Sequence, residues 1–183
     1  MIDCKPFWTE DKDPKLETYY ALRDEMRSGD TLEWRSKTLF GKLIRAITRR
    51  DVNHTSLLIS LEEIEHCESR KFVMEAQGSG INFNVISTRL KDFDGDVYWL
   101  RLKNEYAQYR NDLKAFAFLN AGVKYDTAGL ISNLWTRPLA NKDKMFCSEF
   151  NFIAYKEVGI PKLKGLISAP RPGELFDLGI FYE

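Results

Sequence analysis

A chain of 183 residues is long enough to bury a real core, and it reads as one domain spanning 1–183. An apolar fraction of 44% with 13% aromatics excludes a disordered or low-complexity chain. Lys+Arg and Asp+Glu both number 27, and that zero balance argues against a nucleic-acid partner, which calls for a basic excess.

The first residues, Met1-Ile2-Asp3-Cys4, lack the charged and apolar regions of a signal peptide. No apolar run approaches the roughly 18 residues of a membrane span, so a cytoplasmic location is expected. Asp13-Pro14 is expected to cap a helix running to about Arg27, with Leu16, Tyr19, Tyr20, Arg23 and Met26 at helical spacing and Gly29 as its stop. Thr31-Leu32-Glu33-Trp34 reads as a short strand. A second helix is expected from Thr38 to Arg49, where an apolar stripe (Leu39, Leu43, Ile44, Ile47) runs beside a basic one (Lys42, Arg45, Arg49, Arg50). Such a helix suits a membrane surface, but a solvated charged face is the commoner explanation and the one favoured here.

Four further segments have strand character: His54–Ser60, Lys71–Gln77, Ile81–Ile86 after the Gly78-Ser79-Gly80 turn, and Asp96–Leu102. Their short connections predict an antiparallel sheet. Helical patterns follow at Glu105–Ala121, Thr127–Trp135 and Cys147–Val158, the last ended by Gly159 and Pro161. Pro170, Pro172 and Gly173 make the tail a loop. The fold class is α+β: a central antiparallel sheet packed against helices.

The cysteines, Cys4, Cys67 and Cys147, are odd in number and far apart, which does not suggest a disulfide framework. No C-x-x-C pair or histidine cluster supplies a metal site, and no cofactor is called for. Cys147 falls in the first turn of its predicted helix, sharing a face with Phe150, Ala154 and Val158. Unbonded N–H groups and the positive end of the helix dipole favour a thiolate there, and they can receive an oxyanion. A buried core cysteine is the competing reading.

A base for such a thiol must be His54 or His66. His66 and Cys67 lie in the charged connection Glu62–Glu68, which reads as a solvent-exposed turn. His54 begins a strand, and Glu75 interrupts the apolar run Phe72–Ala76, where an unpaired carboxylate is costly to bury. Antiparallel pairing around the Glu62–Arg70 connection sets residue 56 opposite about 75 and His54 opposite about Gln77. His54, Ser56 and Glu75 then share a face, with Glu75 diagonal to the imidazole. Gln77 is the second choice as orienter. A satisfied strand-end histidine and a solvent-facing edge carboxylate are the competing readings.

Taken in order, Ser28-Gly29-Asp30, Asn53-His54-Thr55-Ser56, Val73-Met74-Glu75-Ala76, Lys124-Tyr125-Asp126, Phe146-Cys147-Ser148-Glu149-Phe150 and Ala169-Pro170-Arg171-Pro172-Gly173-Glu174-Leu175 resemble the circularly permuted NlpC-type papain-like proteins, in particular the YiiX-like branch. The resemblance spans Gly29 to Leu175. It implies cysteine-based hydrolysis or transfer at an amide or ester, with Cys147 as nucleophile, His54 as base and Glu75 as orienter. Tyr125 carries over more weakly as a phenolic donor near the oxyanion, with Ser148 and Gln77 as further oxyanion or substrate contacts. The implied partner is a peptide or acyl-containing small substrate. A lipid acyltransferase or esterase of the lecithin retinol acyltransferase-like kind, and a non-catalytic binding module, are the rival readings. The helical insertion at about 36–50 is read as a lid or a wall of the cleft. Sulfur and imidazole are expected to face each other across that cleft at about 3–4 Å. The oligomeric state is not legible.

Overall fold

The structure, a computed structural model, describes residues 13–64, 70–77, 80–123, 146–167, 169–171 and 173–182. Within them lie β1 (Thr31–Ser36), β2 (His54–Ser60), β3 (Lys71–Gln77), β4 (Gly80–Val85) and β5 (Gly95–Leu100), with α1 (Glu17–Leu22), α2 (Leu39–Thr48), α3 (Ile86–Lys91), α4 (Arg110–Asn120) and α5 (Phe146–Glu157). The strands form one sheet in the order β4-β3-β2-β1-β5, and every pairing is antiparallel. The predicted helix over 127–135 lies outside the described residues.

Alternation along the central strands sends apolar side chains to both faces. Leu57, Ile59, Met74 and Ala76 pack with Leu113 and Ala117 of α4 and with Phe150, Ala154 and Tyr155 of α5. Leu32, Trp34, Leu58 and Val73 pack on the other face with Tyr19 of α1, Met26 and Ile86 of α3. A strand covered on both faces must be apolar at successive positions, which is why Leu57-Leu58-Ile59 shows no alternation. No described helix is long and apolar enough to cross a membrane.

Several boundaries differ from the sequence reading. The first helix is broken into a 3-10 turn at Pro14–Leu16, α1, and a second 3-10 turn at Arg23–Glu25. Its last bond, Met26 N–H to Arg23 C=O, spans three residues and tightens the end before Met26 turns extended. Ile86, read as the end of a strand, opens α3, and six residues are too few for a helical period to show. β5 stops at Leu100 because the Leu102 N–H leaves the ladder for the Asp30 carboxylate, at 3.1 Å.

Asp30 gives the Ser28-Gly29-Asp30 segment its physical role. Its buried carboxylate also accepts from Trp99 Nε1 at 2.9 Å and Arg110 Nη1 at 2.8 Å, fixing the start of β1 to β5 and α4. Gly29 precedes it at φ +88, and a Cβ there would lie 2.7 Å from Leu113 Cδ1. Both the turn and the close packing therefore demand glycine.

Candidate active site

β2 and β3 pair in the register Leu57↔Met74, Leu58↔Val73. Continued by one pair, that register puts Ser56 across from Glu75, and side chains two apart along β2 share a face. The consequence is direct contact: His54 Nε2 lies 2.8 Å from Glu75 Oε1. Glu75 is fully buried, so it is not the solvent-facing edge carboxylate of the competing reading.

Its second oxygen is held as firmly as the first. Glu75 Oε2 accepts from Arg89 Nε at 3.0 Å and from Asn84 Nδ2 at 3.1 Å. Asn84 stands on β4 opposite Val73, one diagonal from Glu75. Arg89 comes from α3, and its guanidinium lies 4.9 Å from the Trp34 ring centre and 5.6 Å from that of Phe93. Trp34 pairs with His54 across the β1–β2 ladder and donates Nε1–H to Ser56 Oγ at 2.8 Å. The imidazole thus sits on a wall whose members fix one another.

Burial alone would push the Glu75 carboxyl up. The hydrogen bond and charge of His54, together with Arg89, outweigh burial and hold it below the ordinary carboxylate range. An ionised carboxylate can only accept, so Nε2 of His54 carries the hydrogen of this contact. In the neutral ring Nδ1 is then the proton acceptor.

Cys147 is the second residue of α5. Its side chain and that of Gln77 lie outside the described residues, as does Tyr125. Ser148 is buried in the first turn. The direction of α5 follows from its far end. Lys162 Nζ and Lys103 Nζ both donate to the Gly179 carbonyl, at 3.1 Å and 2.9 Å, and Tyr155 packs edge-on against Phe181, which bridges to Leu102. These ties hold the C-terminal end of α5 where β1 starts and β5 finishes. Twelve helical residues span about 18 Å, so the turn bearing Cys147 points to the opposite end of the sheet, where β2 begins with His54.

The faces, however, differ. α5 lies on the side of Leu57 and Ile59, whereas His54 and Glu75 leave the sheet on the side of Trp34 and α3. A thiol on α5 can meet the imidazole only around the end of β2, not across a face. His54 is the residue that permits this, because it is the first of its strand.

On the α5 side of that same end, Glu33 faces Thr55 across the β1–β2 ladder. Both are buried, and among the described residues Glu33 Oε1 and Thr55 Oγ1 have no hydrogen-bond partner. Burial pushes the Glu33 carboxyl up to about 7, against the lowering effect of a Gly173 backbone N–H. Sequence reasoning missed Glu33, Arg89 and Asn84 as site residues. The β3–β4 register could have found Asn84, but nothing in the pattern marks Arg89. Among the described residues no group of three or more His, Cys, Asp or Glu side chains could hold a metal ion.

The family model of the permuted papain-like amidases, YaeF/YiiX, C92 family, matches residues 26–166. The crystal structure of YiiX from Escherichia coli O157:H7, described as a metalloprotein, is similar in fold, with a TM-score of 0.53 and 21% sequence identity. That likeness covers 73% of this chain and 66% of YiiX, a little under two thirds of the latter. No curated protein matches the sequence.

Proposed function

This chain belongs to the permuted papain-like amidase family, and from that premise we propose that it is a cysteine hydrolase that cleaves an amide bond in a peptide or cell-wall fragment through Cys147, His54 and Glu75. The observation that carries the assignment of roles is the His54–Glu75 contact at 2.8 Å, on the residue that begins β2. It supplies an oriented base at the sheet end toward which the N-terminal turn of α5 points.

The chemistry needs each part in turn. His54 Nδ1 takes the thiol proton of Cys147, and the helix N-terminus stabilises the thiolate. The sulfur attacks the carbonyl carbon, and the oxyanion receives backbone N–H groups of the first turn of α5, with Ser148 beside them. The C–N bond breaks as the imidazolium returns its proton to the departing amine, leaving a thioester on Cys147. Water then attacks that thioester with His54 again as base, releasing the acid and the free thiol. Glu75 stays ionised throughout, holding the ring in one tautomer and balancing its positive charge. Tyr125 as an oxyanion donor and Gln77 as a substrate contact complete the proposed site.

The test is the pH dependence of alkylation. Iodoacetamide should label Cys147 faster than a free thiol near neutral pH, and His54→Ala should abolish that advantage. Equal labelling profiles for the two proteins would refute the pairing of Cys147 with His54.

A further inference from the structure

α2 rests on the protein through its smallest residue. Gly41 is the buried position of this helix among those whose side chains are described, and a Cβ there would come within 2.8 Å of Ser36 Cβ and 3.0 Å of the Ser36 carbonyl oxygen. The contact is fixed by a local network. Thr38 caps the helix by accepting from the Gly41 N–H at 3.1 Å and meets Ser36 Oγ at 2.9 Å, while Arg45 reaches back to the Ser36 carbonyl.

An α-helix turns about 100° per residue, so positions two before and two after Gly41 lie about 160° round from it. Those positions are Leu39 and Leu43, which are 86% and 53% exposed. Leu39 and Leu43 therefore point away from the body of the protein, and Phe40 between them is 49% exposed, while Ile44 is half-buried on the side of Gly41. A large apolar face held outward by a small-residue contact is an interaction surface.

Its charge identifies the occupant. Between Lys37 and Arg50 the chain carries Lys37, Lys42, Arg45, Arg49 and Arg50, and no Asp or Glu. Lys37, Lys42 and Arg49 are exposed, in a chain whose formal net charge is zero, so the basic side chains of this segment are set against an acidic excess in the remainder. Two copies of this segment would bring like charges together, which opposes self-association. An exposed apolar stripe flanked by basic side chains fits the boundary between acyl chains and anionic headgroups.

We propose that α2 is an interfacial helix that seats this protein on an anionic lipid bilayer, inserting Leu39 and Leu43 while Lys37, Lys42 and Arg49 meet the headgroups. α2 joins the end of β1 to the start of β2, so docking places the His54 end of the sheet at the membrane surface. The inference stands on the exposure and charge of α2 and does not depend on the catalytic assignment.

Co-sedimentation of the full chain with vesicles tests it. One set is phosphatidylcholine alone, and the other is phosphatidylcholine and phosphatidylglycerol in a two-to-one ratio. Wild type should bind the anionic set at low salt and lose binding as salt screens the charges. Lys42→Glu with Arg49→Glu should weaken that binding about tenfold or more, and Leu39→Ser with Leu43→Ser should do the same while leaving the melting temperature unchanged. Three results overturn the proposal: no binding to anionic vesicles, equal binding to both sets, or undiminished binding by the double-serine variant. A wild-type dimer that the double-serine variant dissolves, without vesicle binding, would assign the face to a second copy and overturn it as well.

Discussion

Arg89→Met separates charge from packing at the base of the site. In the folded protein the Arg89–Glu75 pair is 3.0 Å apart, with the carboxylate fully buried and the guanidinium mostly so. Removing one member of a buried pair costs about 3–5 kcal/mol. Glu75 keeps His54 and Asn84, so the lower end, about 3 kcal/mol at pH 7, is expected. For a chain of this size that lowers the melting temperature by roughly 6–12 °C. The pH dependence carries the argument. Glu75 is depressed below its unfolded value, so its stabilising contribution is present above an unfolded pKa of about 4.3 and is lost as pH falls through the lower, folded value. The penalty for removing Arg89 should therefore be largest at neutral pH and should shrink below about pH 4. A residue of about 1 kcal/mol, from the lost stacking on Trp34 and Phe93, should remain. Urea unfolding of wild type and variant across that range measures it. A difference that does not change with pH would show that Arg89 acts by packing, and that the clamp on Glu75 is not electrostatic.

Three further outcomes are expected. Cys147→Ala should abolish amide turnover, whereas Cys4→Ala and Cys67→Ala should leave it near normal in a fluorogenic peptide assay. A chelator should leave turnover unchanged, since the proposed steps run on a thiolate; loss restored by added zinc would overturn them. Glu33→Gln should stabilise the protein by about 3 kcal/mol at pH 8 and by little below pH 4, read from thermal melts. The folded value of about 7 lies above the unfolded one, so wild type loses stability as pH rises through that window.

What the sequence made legible was local. The β2–β3 register followed from the connection between the two strands, and the cost of burying Glu75 pointed to a partner, which is His54. The short connections between successive strand-like segments pointed to the antiparallel sheet that forms. What the sequence did not show depends on which layer covers which face. Arg89 looks like any basic residue on a short helix until the layers place Trp34 and Phe93 beneath it. The spacing of Leu39 and Leu43 on α2 is the same whether they face the core or solvent, and Gly41 against Ser36 decides which. Likewise, that α5 and His54 lie on opposite faces could not be read from spacing alone.

The base and its orienter are 21 residues apart, on strands joined by one connection, so their contact forms with a modest closure cost. Asn84 and Arg89 follow within the next 14 residues and lock the carboxylate. The proposed nucleophile, Cys147, comes from a helix far along the chain, on the other face, which is tied at its far end by Tyr155 to Phe181, next to the Lys162 contact with Gly179. In the proposed site the permuted order thus divides the work between a locally built base and a remotely anchored thiol. Phe181→Ala opens the remote anchor without touching the base. It should slow alkylation of Cys147 severalfold while the His54–Glu75 contact, followed by the imidazole nitrogen resonances, stays as in wild type. If the imidazole signals shift as much as the alkylation rate falls, the two halves are one cooperative unit and the division is wrong.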